Sequence, residues 1–113
     1  MTSNSETKST PAPASIALAA TQIIAKLAQL DGWRLHGDGP EVAIEKTYRF
    51  DGYLQTIAFV NAVAFIAERQ DHHPEIVVQY KACSVRFRTH VIQGISIRDF
   101  ECAAQADALL QPN

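Results

Sequence analysis

The sequence holds only two cysteines in 113 residues, Cys83 and Cys102, and no CxxC pair. That excludes a disulfide-dense scaffold, a zinc ribbon and a thioredoxin-type redox centre, and both thiols read as small buried apolar groups. Apolar runs are short and fall well below the ~20 residues that a membrane span requires. Excess charge is slight, with a formal net of -2, so neither nucleic acid nor an anionic membrane is expected as a direct partner. Glycine is sparse, and no GxGxxG, GxxxxGK[ST] or GxSxG occurs, which removes the phosphate cradle and the nucleophile elbow. Met1–Ser15 lacks the basic region and apolar run of a signal peptide, and a cytoplasmic location is expected.

What is present suits one globular domain. The hydrophobic fraction is 47% and the charged fraction 19%, and a chain of this length has room for one core. After the initiator, Met1–Ala14 is dominated by Ser, Thr and Pro. It reads as a disordered tail ahead of a domain over residues 15–113. Ser15 suits the N-cap of an amphipathic helix over Ile16–Leu30, stopped by Asp31-Gly32. Trp33–His36 reads as a short strand, Gly37–Pro40 as a turn, and Val42–Phe50 as an alternating strand that completes a hairpin. Lys46 is the odd member of its apolar set.

A longer helix is predicted from Gly52 or Tyr53 to Gln70, capped by Asp51 and ended by Asp71-His72-His73-Pro74. Its apolar surface is broader than covering a sheet requires, which leaves open a thick one-sided core or a self-association face. Glu75–Tyr80 and Ser84–Val91 read as strands and Gln93-Gly94 as a turn. Ser96-x-x-Asp99 is a capping-box pattern that opens a last helix over Ile97–Leu110, before a loose end at Gln111–Asn113. The order α-β-β-α-β-β-α predicts an α+β fold, a four-stranded antiparallel sheet with three helices on one face.

Three of the four histidines fall at predicted element ends: His72 and His73 after the long helix, and His90 at the end of the last strand. Pairing of the last two strands makes His73 and His90 neighbours. Imidazoles exchange protons near neutral pH, and beside Glu68, Asp71 or Asp99 they would form a metal-free acid/base site. Two other readings stay open here. Three histidines can hold catalytic zinc, although no HxH or HExxH spacing is present. A His-His pair at a helix C-terminus is also explained by the helix dipole. Asp99 is explained by its cap alone, whereas Glu68 sits in a last helical turn that mildly disfavours a carboxylate. Arg86 and Arg88 share a strand face with His90 and read as solvating an exposed sheet face rather than as an anion site. Trp33, Tyr48, Phe50 and Phe87 read as core.

The ordered set Glu68-x-x-x-His72-His73-Pro74, Tyr80, His90 and Asp99 resembles the pterin-4a-carbinolamine dehydratase signature. Gly32-Trp33, Tyr48-x-Phe50, Phe59, Val63-Ala64, Ala67-Glu68, Thr89-His90, Gly94 and Ser96-x-x-Asp99 extend the likeness from about Leu30 to Leu110. The resemblance implies an α+β domain that assembles as a homodimer or homotetramer through sheet edges and the long helix. It implies dehydration of 4a-hydroxytetrahydropterin to the quinonoid dihydropterin, with no metal or cofactor. It makes His72, His73 and His90 the acid/base and binding residues, Asp99 the group that orients a histidine, and Glu68 a supporting residue. Pro74, Glu75 and Tyr80 are implied substrate contacts. Ile76, Val78 and Lys81 depart from the family's Trp, Asn and Asn, and they are expected beside the histidines. Relatives of this fold also serve without dehydration, as a dimerisation cofactor of a transcription factor or as RuBisCO assembly factors in carboxysome systems. A non-catalytic binding protein with RuBisCO as client, associated with carboxysomes, is therefore the alternative.

Overall fold

Val42–Phe50 alternates with period two apart from Lys46, and the sheet is built around it. The computed structural model describes residues 16–111; the expectations for Met1–Ala14, the Ser15 cap and Pro112-Asn113 lie outside them. Strand β2 (Ala43–Arg49) pairs with β1 (Arg34–His36) on one side and with β4 (Ala82–Phe87) on the other. Beyond it, β4 pairs with β3 (Glu75–Val78). Every pairing is antiparallel, in the order β1-β2-β4-β3. Helices α1 (Ala20–Leu27), α2 (Tyr53–Gln70) and α3 (Ile97–Ala108) complete the predicted α-β-β-α-β-β-α order among the described residues.

The register puts Ile44 and Tyr48 on the same face as Cys83, Val85 and Phe87. That face packs against Phe59 and Val63 of α2 and Phe100, Ala103 and Ala106 of α3. Trp33 joins this core and Phe50 packs at its border. Both cysteines are buried and free. Lys46 shares the core face because α3 brings a carboxylate to it. Asp107 Oδ1 accepts from Lys46 Nζ at 2.9 Å and from the Tyr48 hydroxyl at 2.6 Å, and Oδ2 accepts from Trp33 Nε1 at 3.1 Å. Burial and the bond to Asp107 hold the Tyr48 hydroxyl far above the ordinary phenol range.

Several boundaries differ from the sequence expectation, each for a local reason. The first helix begins at Ala20 rather than Ile16, because Leu18 N donates to Ile95 O and ties the preceding segment down in extended form. It closes at Leu27, where the hydrogen bonds tighten into turns through Gln29 and Leu30. Gln55, not Asp51, caps α2, its side-chain oxygen accepting from the backbone N–H of Asp51 and of Gly52. α2 ends at Gln70 as expected, and within the predicted stop Asp71–Pro74 it is Asp71 that closes it, in the left-handed region at φ 51°, with His72 N bonded to Ala67 O and Asp71 N to Glu68 O. This is a Schellman closure with aspartate where glycine is usual. β3 stops at Val78, because Gln79 N bonds Ala82 O and closes a turn through Tyr80 and Lys81. The predicted strand Ser84–Val91 instead starts at Ala82 and ends at Phe87, and His90–Ile92 forms a single 3-10 turn. α3 stops at Ala108, short of Leu110.

Candidate active site

Adjacent side chains in the extended segment after α2 point apart, and the two histidines there do so. His72 turns inward and stacks on Phe87 with ring planes 9° apart. Its Nε2 meets Asp99 Oδ1 at 2.5 Å, and only 11% of the side chain is exposed. Asp99 is fully buried. Its Oδ2 accepts from Ser96 N at 2.9 Å and from the Thr89 hydroxyl at 2.8 Å, and the Ser96 and Thr89 oxygens lie 2.8 Å apart. The predicted capping box is present, and the same carboxylate also anchors a histidine. A carboxylate facing Nε2 keeps the ring proton on that nitrogen.

His73 turns outward. Its Nε2 lies 2.7 Å from Glu68 Oε1, and both side chains are exposed. His90 opens the 3-10 turn after β4. His73 and His90 line one cavity of about 430 Å3, with Glu75, Arg86, Arg88, His36, Glu41 and Ala43 as further walls. A smaller adjoining recess is lined by all three histidines together with Asp71, Thr89, Val91 and Arg98. Among the described residues no three His, Cys, Asp or Glu side chains converge as a metal-binding group.

The cavity shared by His73 and His90 lies over the helix-free face of the sheet. On that face Glu45 is buried, although it sits on an outward-facing strand position. Burial pushes its carboxyl up, but hydrogen bonds from Arg86 and Arg34, with the charge of His36, more than offset this and hold it below the ordinary carboxylate value. Bonds to Glu45 and Glu75 in turn raise the Arg86 guanidinium.

Of the residues singled out in the sequence, His72, His73, His90, Asp99, Glu68 and Glu75 gather around the two recesses. Pro74 lines neither, and Tyr80 sits in the turn at the far end of the β3–β4 hairpin, where it is exposed beside Tyr53. The departures at Ile76, Val78 and Lys81 do not line the cavities either. Ile76 packs toward the core, Val78 ends β3, and Lys81 lies over the Tyr80 ring. The expectation that they flank the histidines is corrected by the hairpin geometry. Sequence reasoning passed over His36 and Glu41, and it read Arg86 and Arg88 as a solvated face. Arg86 and Arg88 do lie on that face, and they also wall the cavity. The available signal was the strand parity shared by Arg86, Arg88 and His90.

A family model described as pterin 4 alpha carbinolamine dehydratase matches residues 16–109. The chain is 62% identical to a protein of Paracidovorax citrulli provisionally named pterin-4-alpha-carbinolamine dehydratase, over 83% of this chain and 81% of that one. It is 48% identical to a protein of the same provisional name from Nitrosospira multiformis, over 83% and 80%. Its fold is similar to the crystal structure of a transcriptional coactivator/pterin dehydratase from Brucella melitensis, with TM-score 0.77 and 30% identity, covering 85% of this chain and all 100% of that one. It is also similar to a pterin dehydratase-like protein identified as a RuBisCO assembly factor in the alpha-carboxysome, with TM-score 0.60 and 25% identity, over 73% and 93%.

Proposed function

The chain belongs to the pterin 4 alpha carbinolamine dehydratase family, and on that premise we propose that it dehydrates a 4a-hydroxytetrahydropterin to the quinonoid dihydropterin. One observation carries this reading: His73 and His90 open into a single cavity, with His72 locked to a buried carboxylate behind them. The reaction is redox-neutral. The carbon–oxygen bond at the ring junction breaks, and the departing hydroxyl takes a proton and leaves as water. The neighbouring ring nitrogen gives its proton to a base, and its electron pair closes a carbon–nitrogen double bond. The step needs one proton donor and one acceptor at close quarters, which a histidine pair supplies near neutral pH.

In this reading His73, steadied by Glu68, and His90 exchange the two protons. His72 presents its free ring edge to the recess that all three share, and Asp99 orients it. Self-association belongs to the same reading. α2 leaves Leu54 83% and Phe65 75% exposed on one side of the helix, a surface suited to a homodimer or homotetramer.

The test is a coupled assay with 4a-hydroxytetrahydropterin generated in place. Wild-type acceleration should fall roughly 10²–10⁴-fold in His73→Ala and in His90→Ala, with circular dichroism unchanged. A folded wild-type protein that gives no acceleration overturns the reading and directs the search to a protein client such as RuBisCO.

A further inference from the structure

One wall of the histidine cavity belongs to a charged row that crosses the whole sheet. The register aligns Arg34 with Glu45, Glu45 with Arg86, and Arg86 with Glu75, so charge alternates in sign from one edge to the other. Arg86 is held from two sides. Its Nε donates to Glu45 Oε2 at 2.6 Å and its Nη1 to Glu75 Oε1 at 3.1 Å. Because a guanidinium is a rigid plane, two such bonds fix its orientation. Nη2 takes no protein acceptor among the described residues, and the side chain lines the cavity beside Glu75. An arginine that merely solvates a sheet face does not need a buried carboxylate behind it, since burying Glu45 carries a desolvation cost. Glu45 itself does not line the cavity, so it acts there only through Arg86.

An oriented arginine beside a carboxylate offers a donor next to an acceptor. A ring carbonyl next to a ring N–H, a lactam edge, is the complement of that pair. The pterin ring carries this edge, and its carbonyl carbon is bonded to the ring-junction carbon that loses the hydroxyl. Resting on the dehydratase reading, we propose that Arg86 and Glu75 read the lactam edge of the pterin. Arg86 donates to the carbonyl and Glu75 accepts from the N–H, and Glu45 is the positioning residue that aims Arg86.

The experiment titrates wild type, Arg86→Lys and Glu45→Gln with two non-reacting probes, fully oxidised pterin and 2,4-diaminopteridine, in which an amino group replaces the carbonyl. A site built to bond one group discriminates against an analogue that cannot make the bond. Wild type should prefer pterin by about tenfold or more. Lysine cannot bridge two carboxylates and still present a fixed donor, so Arg86→Lys should shrink the preference to about threefold or less. Glu45→Gln, outside the cavity, should fall between. In the dehydratase assay the loss should appear in KM more than in kcat. Circular dichroism identifies any variant that fails to fold, and the other variant then decides. Wild-type preference retained in the folded variants overturns this inference and leaves the dehydratase reading standing. Binding of neither probe by wild type overturns both.

Discussion

Asp99 Oδ1 meets His72 Nε2 at 2.5 Å while Oδ2 of the same carboxylate caps α3 on Ser96 N at 2.9 Å. One buried group therefore meets both the start of a helix and the ring of a histidine, and the two contacts separate by substitution. Asp99→Ala loses the cap and leaves Ser96 N and His72 Nε2 without their carboxylate partner, and should destabilise the fold by about 2–4 kcal/mol in urea titration. Asp99→Asn keeps an oxygen for the cap but turns an N–H toward Nε2. Its stability loss should be the smaller one, while kcat falls by about 10²-fold. Nitrogen NMR shifts of His72 should report a change of tautomer; an unchanged ring with unchanged kcat would remove Asp99 from the orienting role.

Asp107 gathers three donors, from Trp33, Lys46 and Tyr48, at the junction of α3 with the sheet. Asp107→Ala leaves an indole N–H, a phenol and an ammonium without their acceptor, and should cost about 3 kcal/mol. Asp107→Asn keeps the acceptor oxygen but not the charge facing Lys46, and should cost less. Thermal melts of the two variants check the order, and equal losses would mean that the charge carries the whole effect.

The exposed stripe on α2 predicts a concentration-dependent assembly. Phe65→Asp puts a charge on an apolar surface and should shift sedimentation velocity profiles toward monomer, with the monomer fold intact. A wild-type protein that sediments as monomer at high concentration would show that the stripe is not a self-association face.

Stability should fall at both ends of the pH scale. The folded value of Glu45 is depressed below its ordinary 4.5. The native state therefore binds fewer protons than the unfolded chain as the pH drops through that window. The contribution of Glu45 is complete above its ordinary value and is lost as the pH falls through the folded one. Glu45→Gln should flatten this acid limb in denaturant titrations between about pH 6 and pH 3. At the other end, burial raises Tyr48 above its ordinary 10.0 and pushes Cys102 from 9.0 up to about 11. Both favour the protonated form in the fold, so stability is complete below the ordinary values and declines as the pH rises through them. The same burial should keep Cys102 unreactive toward alkylating reagents at neutral pH until the protein unfolds.

Much of this protein is legible from its sequence, because neighbours along the chain encode it. Period-two alternation marks β2, apolar periodicity marks α2, and Ser96-x-x-Asp99 announces α3; each depends on residues within a turn or two of one another. The histidines also stand out, since His72-His73-Pro74 sits at a helix end and His90 at a strand end. Element boundaries were less legible, because long-range bonds such as Leu18 N to Ile95 O decide them. The tertiary structure alone decided the rest. The Glu45–Arg86 and Trp33–Asp107 pairs span 41 and 74 residues, and only strand register and helix docking bring them together. Register likewise draws His36 and Arg86 into the histidine cavity, and hairpin length carries Tyr80 away from it. A side chain's face follows from local periodicity, but its partner across that face is set by the packing of segments remote in the chain.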